Sequence, residues 1–186
     1  MFRPIFAVLS VSAVLATACG ATDAGDVKPA AYAQFVCTGL VGWRDGVAAD
    51  STVLSRSLAE AADVATVRSR YATFFTAAVR RTDEVIGTVK SAGAPEADHG
   101  LGYSRDLTAA LVNARTGLAG AQKAFAVLPT DDLGAYAEGA RTIRDSLGTV
   151  FGQVGTTLEQ LGGTYTDAGL NRAFGDNPAC QRLSAS

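Results

Sequence analysis

The sequence predicts an all-α protein: an up-down-up-down four-helix bundle with a C-terminal tail stapled by a disulfide. Three observations predict this fold. Apolar residues recur at helical spacing in four long blocks, short connections rich in helix breakers separate the blocks, and one cysteine lies in the first turns of the first helix and another in the tail after the fourth. The chain divides into a signal peptide (1–18), a flexible tether (19–30) and a bundle domain with its tail (31–186).

The first segment predicts export. Arg3 precedes a run of uncharged residues from Ile5 to Ala18, which is too short to span a bilayer but has the length of a secretory signal core. Small residues then lead directly to Cys19, as in the lipobox of bacterial lipoproteins. This pattern predicts lipidation of Cys19, with palmitate among the acyl groups, and anchorage on the extracytoplasmic face of the cell membrane. Cleavage after Ala18 by ordinary signal peptidase is the alternative, and it predicts a secreted protein.

The tether is predicted from small and polar residues between Cys19 and the first helix. Gly20, Gly25 and Pro29 break regular structure in this stretch. A flexible segment of this length would keep the domain close to its membrane. Two acyl chains on Cys19 would give a stable anchor, which a single chain would not.

Four apolar stripes predict the four helices, in chain order. The first stripe comprises Val36, Leu40, Trp43, Val47, Leu54, Leu58 and Ala61. The second comprises Val64, Val67, Tyr71, Phe74, Ala78, Val85 and Val89. The third comprises Leu107, Leu111, Ala114, Leu118, Ala121, Phe125 and Leu128, and the fourth Tyr136, Ala140, Ile143, Leu147, Val150, Val154 and Leu161. Alternating steps of four and three are typical of helices that pack at about 20°.

The connections agree with the stripes. Asp63 is the predicted N-cap of the second helix, and Gly93-Ala94-Pro95 ends that helix because proline cannot continue a helical turn. Thr130 is the predicted N-cap of the fourth helix, with acidic residues after it that favour a helix N-terminus. Gly162-Gly163 is predicted to end the fourth helix.

Three cysteines are an awkward number for an exported chain. If Cys19 carries lipid, Cys37 and Cys180 remain as one disulfide pair. Since the first helix starts and the fourth helix ends at the same end of such a bundle, this bond would fold the tail across that end. We expect a short helix around Asp167–Phe174 within the tail.

Composition argues against several activities. The formal net charge is −2 with no cluster of lysine and arginine, so the sequence gives no nucleic-acid footprint. No catalytic motif, cofactor loop or metal set stands out, and the prediction is a non-catalytic protein without a cofactor. His99 is the only histidine, and with Glu96 it matches a Glu-x-x-His pattern. Because di-iron sites need that motif twice, a solvated helix entry is the favoured interpretation over a metal ligand.

Asp50 interrupts the first stripe and is the most interesting polar residue. A buried carboxylate is costly unless it is paired. Asp50 therefore turns outward, faces Arg81 of the second stripe, or lines a polar cavity, and the outward orientation is favoured. Other arginines are expected to pair along their own helices, as Arg80–Glu84 and Arg141–Asp145.

The aromatic and glycine positions each allow more than one interpretation. The aromatic residues are expected to pack in the core, with an apolar ligand pocket as the alternative; they are Trp43, Tyr71, Phe74, Phe75, Phe125, Tyr136 and Phe151. Glycines in the first and fourth helices allow close helix approach or leave a shallow groove, unless they only reflect composition; they are Gly42, Gly46, Gly148, Gly152 and Gly155.

The chain resembles a group of uncharacterised small secreted or lipid-anchored helical-bundle proteins of actinobacteria. Four short motifs carry the resemblance: Tyr32 to Cys37, Gly93 to Pro95, Leu128 to Asp132, and Ala179-Cys180. They span nearly the whole predicted mature chain. The resemblance implies export and a helical bundle, and it implies no activity.

Two functions follow as hypotheses. The first is a cell-envelope lipoprotein, held to the membrane through Cys19, that binds or scaffolds an envelope protein partner. The alternative is a carrier or sensor that holds a small apolar ligand in the bundle core. A cavity of several hundred cubic ångströms between the helices would favour the alternative, whereas a filled core with an exposed apolar patch would favour the first.

Overall fold

The computed structural model describes residues 23–184, so Cys19, the predicted signal peptide and the start of the predicted tether lie outside the described residues. Within this range the chain is all-helical, which confirms the predicted fold class. Its helices are α1 (Pro29–Ala59), α2 (Val64–Ser91), α3 (Gly100–Ala126), α4 (Leu133–Thr164), α5 (Ala168–Asp176) and α6 (Pro178–Ser184). The described part contains no β-strand, only an isolated parallel bridge between Val27 and Pro95.

The boundaries of α2 follow the sequence signals. The carboxylate of Asp63 accepts a hydrogen bond from the backbone N–H of Thr66 at 2.7 Å, which confirms the predicted N-cap. That backbone hydrogen bond is the main reason why the pKa of Asp63 lies below its ordinary value. Gly93 turns the chain after α2 with φ = 76°, a left-handed conformation that glycine adopts without strain.

Both predicted ends of α4 were wrong by a few residues. Asp132, not Thr130, is the N-cap, because it directly precedes the first helical residue, Leu133. Its carboxylate accepts a hydrogen bond from the backbone N–H of Ala135 at 3.0 Å. At the other end Gly162-Gly163 stay helical. The helix continues to Thr164, and the N–H of Tyr165 still donates to the carbonyl of Leu161 at 2.9 Å.

The main core fills the end of the molecule where α1 begins. It draws on five helices and on the connection between α2 and α3, and its fully buried members are Tyr32, Val36, Val89, Leu107, Leu111 and Leu170. Residues of α1 meet residues of α2 in reversed order, as in an antiparallel pair. Gly39 lies against Thr88, and the indole N–H of Trp43 donates to Thr82 Oγ1 at 3.0 Å.

Asp50 and Arg81 form an ion pair across the same interface. The guanidinium donates to both carboxylate oxygens, at 2.6 and 3.1 Å. The favoured outward orientation of Asp50 was therefore wrong, and its alternative, pairing with Arg81, is the observed one. Gly46 makes room for the pair, since a Cβ there would lie 2.6 Å from Arg81 Nη1.

Of the two predicted pairs within helices, one forms. Arg80 bonds Glu84 as expected. Arg141 instead pairs with Glu138, one turn towards the N-terminus, while Asp145 pairs with its neighbour Arg144. Glu138 and Asp145 lie about one turn before and one turn after Arg141 on the exposed side of α4. Helical spacing allows either carboxylate as the partner, and the prediction chose the wrong one.

A wide seam separates α1 from α4. The successive pairs α1–α2, α2–α3 and α3–α4 pack along their lengths, whereas the backbones of α1 and α4 stay apart over most of theirs. Side chains bridge the seam at one level, where the rings of Trp43 and Phe151 lie 6.0 Å apart. At the end where α1 begins, α5 and α6 pack on α1 beside the seam.

The tail is fixed to α1 by the Cys37–Cys180 disulfide, which confirms that pairing. Asp167 caps α5, so the short helix predicted in the tail is present as well. A second tail helix, α6, was not predicted, although its signal is in the sequence. Asn177 precedes Pro178, and its side-chain oxygen accepts from the N–H of Ala179 at 2.9 Å, as an N-cap does before a proline-initiated helix.

The described residues before α1 contact the connection between α2 and α3. Val27 donates its N–H to Ala94 at 3.0 Å and accepts at its carbonyl from Glu96 at 2.6 Å. Pro29 already belongs to α1. Proline suits the first position of a helix, because its fixed φ is helical and its missing N–H would have no partner within the helix there.

Candidate ligand-binding cleft

The seam between α1 and α4 widens into a cleft of about 830 Å³ at the end closed by the tail. Five helices supply its walls. The lining residues are Val36, Cys37, Leu40, Tyr103, Leu107, Gly155, Leu158, Glu159, Phe174, Gly175, Cys180, Gln181, Leu183 and Ser184. Apolar side chains therefore dominate the walls, and the polar residues come from the late turns of α4 and the tail.

The floor of the cleft is built by helical spacing. Val36 and Leu40 lie one turn apart on α1, and Tyr103 and Leu107 lie one turn apart on α3. All four are buried, and Leu107 is fully so. Residues four apart share one helical face, so the two helices present a continuous apolar surface to the seam.

Aromatic rings form one wall. The ring of Tyr103 lies 5.7 Å from that of Phe174 in α5 and 5.5 Å from that of Tyr165, which follows α4. The hydroxyl of Tyr165 is occupied, since it donates to Asp106 at 2.6 Å. That hydrogen bond is the main reason why the pKa of Tyr165 is raised.

The hydroxyl of Tyr103 has no such partner. It makes no hydrogen bond to any described residue, although the side chain is more than nine-tenths buried. Burial raises the pKa of Tyr103, so the hydroxyl keeps its proton and remains a hydrogen-bond donor. Because Tyr103 lines the cleft, its hydroxyl is available to donate a hydrogen bond to a ligand that carries an acceptor.

Tyr32 places a second unpaired hydroxyl behind this wall. The residue is fully buried, its ring lies 6.0 Å from that of Tyr103, and its oxygen makes no hydrogen bond. The nearby hydroxyl of Ser104 donates to the carbonyl of Gly93 at 2.7 Å, and its effect on the pKa of Tyr32 is a lowering smaller than the effect of burial. Burial raises the pKa of Tyr32 as well, so this end of the core holds two neutral phenols.

The rim of the cleft carries its polar groups. Glu159 is exposed and forms no ion pair with the described residues, while Gln181 and Ser184 face it from α6. Gly155 leaves a gap in the α4 wall, because a Cβ there would meet nothing within 4 Å. Of the interpretations that the sequence allowed for Gly155, the structure therefore shows a groove and not a close contact between helices.

The predicted site residues fall in three places. Cys19, the predicted lipidation site, lies outside the described residues. Cys37 and Cys180 are joined and form part of the cleft wall. Most of the predicted aromatic residues pack together at the opposite end of the molecule and are not among the residues that line this cleft; they are Tyr71, Phe74, Phe75, Phe125 and Tyr136.

Tyr103 and Phe174 were missed. A signal existed for Tyr103, because it stands one turn before Leu107 and extends the third stripe towards the N-terminus. Phe174 had no comparable signal. It lies in the tail, and only the folded position of α5 brings it to the cleft.

His99 is exposed at the start of α3, in a left-handed conformation with φ = 59°. Among residues 23–184 no group of histidine, cysteine and acidic side chains is arranged to hold a metal ion. In the same range, no helix combines the length and apolar character needed to cross a membrane.

Comparison with known proteins gives no relative. No family model, curated protein or solved structure matches the chain. The functional argument therefore depends on the geometry of the cleft.

Proposed function

We propose that the protein is a non-catalytic, lipid-anchored binding protein of the cell envelope, whose cleft between α1 and α4 holds a small apolar ligand. The observation that carries the proposal is the apolar cleft of about 830 Å³ between the helices. Ligand sites in proteins measure roughly 300–1,000 Å³ and combine apolar walls with a few polar groups. The cleft has both properties.

This proposal favours the carrier or sensor hypothesis over the scaffold hypothesis. A cavity of several hundred cubic ångströms between the helices favours the carrier or sensor hypothesis, whereas a filled core with an exposed apolar patch would favour the scaffold hypothesis. Lipidation of Cys19, the extracytoplasmic location and the actinobacterial relationship belong to the proposal. The up-down-up-down arrangement of the four long helices is also part of the proposal. The reversed order of contacts between α1 and α2 supports it.

Binding of N-phenyl-1-naphthylamine, a neutral dye that fluoresces in apolar sites, tests the proposal. We expect saturable binding to the processed full chain. The variant Gly155→Leu should weaken binding at least tenfold, because the new side chain fills open space in the cleft wall. Leucine also favours a helix over glycine, so the fold should persist.

Gly148→Leu is the matched control. It lies on the same helix, a Cβ there also meets nothing within 4 Å, and it does not line the cleft. It should bind the dye as the unmodified chain does. Absence of saturable binding to the unmodified chain, or equal binding by Gly155→Leu, would contradict the proposal.

The scaffold hypothesis keeps one supporting observation at the opposite end. Val127 and Leu133, on either side of the connection between α3 and α4, are 81% and 68% exposed. A partner protein would cover them. Photo-crosslinking from position 127 in the host envelope should then capture one defined protein, and crosslinking from the exposed Asn113 should not.

A further inference from the structure

The segment before α1 is held against the connection between α2 and α3 and the first turn of α3, at the end of the molecule where α1 begins. Gly25 donates its N–H to Pro95 at 2.9 Å, and the N–H of Leu101 donates to the carbonyl of Asp23 at 3.0 Å. The contact is tight, since a Cβ at Gly25 would lie 2.1 Å from the carbonyl oxygen of Ala94. The chain thus has a fixed position from Asp23 onwards.

This position limits the distance to the proposed anchor. Four residue steps separate Cys19 from Asp23. A chain spans at most about 3.5 Å per residue, so these four steps limit the reach of a lipid anchor on Cys19 to about 14 Å from the Asp23 contact. A lipid on Cys19 would hold this end of the molecule at the membrane surface.

The cleft lies at the same end. Leu101, which holds Asp23, stands two residues before Tyr103 in the cleft wall. The remaining walls come from the beginning of α1, the last turns of α4 and the tail. The connection before α3 also meets the one before α5, where the N–H of Asp98 donates to Asp167 at 3.3 Å.

We propose that the cleft takes its ligand from the membrane that carries the anchor, and that this ligand is the acyl chain of a lipid with an uncharged head group. This inference rests on the proposed function. The apolar floor suits a hydrocarbon chain, and the unpaired hydroxyl of Tyr103 can donate to an ester carbonyl. Glu159, an exposed acidic residue on the rim, disfavours an anionic head group.

Energy transfer to a dansyl-labelled acylglycerol tests the inference. Trp43 is the chain's single tryptophan and lies one turn from Leu40 in the cleft floor, so its emission reports a nearby dansyl group. The lipid-anchored full chain is placed in phosphatidylcholine vesicles that contain increasing fractions of the probe. We expect saturation for the unmodified chain and for Gly148→Leu, and its loss for Gly155→Leu.

A longer tether separates membrane loading from loading through water. A glycine-serine insert of twenty residues between Ala21 and Thr22 lowers the effective concentration of bilayer lipid at the cleft. The probe fraction needed for half-saturation should rise about tenfold. The corresponding free dansyl fatty acid, which is anionic, should bind less tightly than the ester, and Glu159→Gln should reduce that difference.

The outcomes separate the two proposals. If the naphthylamine dye binds but the acylglycerol does not, or if the longer tether leaves half-saturation unchanged, the membrane inference is wrong and the binding function stands. Tighter binding of the fatty acid than of the ester overturns the uncharged head group. If neither probe distinguishes the unmodified chain from Gly155→Leu, both proposals fail.

Discussion

Single residues show how the core tolerates polar groups. Asp50 lies in an apolar stripe and is satisfied by a bidentate contact with Arg81, for which Gly46 leaves space. The hydroxyl of Tyr103, in contrast, has no partner in the described part of the chain. The carboxylate of Asp50 is therefore satisfied within the chain, whereas the hydroxyl of Tyr103 is available to a ligand.

Removal of the Asp50–Arg81 pair should destabilise the protein in a pH-dependent manner. The hydrogen bonds from Arg81 are the main reason why the pKa of Asp50 is lowered. We expect Asp50→Asn to reduce the free energy of unfolding by about 1 kcal/mol at neutral pH, since the pair is partly exposed. A lowered native pKa means that the carboxylate stabilises fully above its ordinary pKa and loses that effect as pH falls through the native value.

Urea unfolding of both proteins between pH 7 and pH 2 measures this difference. It should shrink as the carboxylate of Asp50 is protonated. A gap of constant size over the whole range would show that the charge of Asp50 does not matter. In a double-mutant cycle with Arg81→Met, the two substitutions should not be additive.

Tyr103→Phe should separate binding from stability. The substitution removes a hydroxyl that bonds no described residue, so the free energy of unfolding of the empty protein should stay the same or rise. Binding of an acylglycerol should weaken about tenfold, which corresponds to the loss of one hydrogen bond of about 1.4 kcal/mol. Tyr165→Phe is the contrasting variant, because its hydroxyl bonds Asp106, and it should lower stability. Equal stability losses for both variants would contradict this account.

At the scale of the element, the tail helices complete one wall of the cleft. Phe174 of α5 and Leu183 of α6 line it, and Cys180 joins α6 to α1. The disulfide closes a loop across a sequence separation of 143 residues. Loops of that length give roughly 4–5 kcal/mol in the chain-entropy model, and often less in practice.

The double variant Cys37→Ser, Cys180→Ser should therefore lower the melting temperature and weaken naphthylamine binding together, because the tail loses its fixed position. Thermal unfolding with and without a reductant measures the first effect. The unmodified chain should respond to the reductant and the double variant should not. Unchanged melting and unchanged binding in the variant would show that packing alone holds the tail.

The sequence predicted the individual helices better than the contacts between them. Periodicity located all four long helices, and Asp63 and Gly93 marked their boundaries, because caps and turns depend on neighbouring residues. The predicted N-cap Thr130 was wrong because Asp132 directly precedes the first helical residue, and aspartate is the stronger N-cap of the two. The Asp50–Arg81 pair and the placement of Phe174 depend on contacts between distant segments, which periodicity does not describe.

At the scale of the whole molecule, the seam between α1 and α4 is what makes a binding site. A closed four-helix bundle would bury the facing stripes of these helices against each other. Here α5 and α6 pack on α1 at one end, and the space left beside them is the cleft. The apolar pattern of α1 and α4 predicted burial but could not say which neighbour covers each stripe.

The two ends of the molecule consequently differ. One end holds the cleft, the tail and the docked segment before α1, whereas the other holds the aromatic cluster and the exposed Val127 and Leu133. An anchor at Cys19 would place the first end at the membrane and direct the second away from it. Ligand binding and partner binding would then occupy opposite ends of one molecule.

Native mass spectrometry of the protein extracted gently from its host membrane tests the central claim most directly. We expect the mass of a chain that begins at Cys19 and carries lipid, less two hydrogens for the disulfide, plus a reproducible small-molecule adduct. The adduct should persist in Gly148→Leu and disappear in Gly155→Leu. A lipidated, oxidised protein without an adduct, or an adduct that Gly155→Leu retains, would contradict the claim that the cleft is a ligand site.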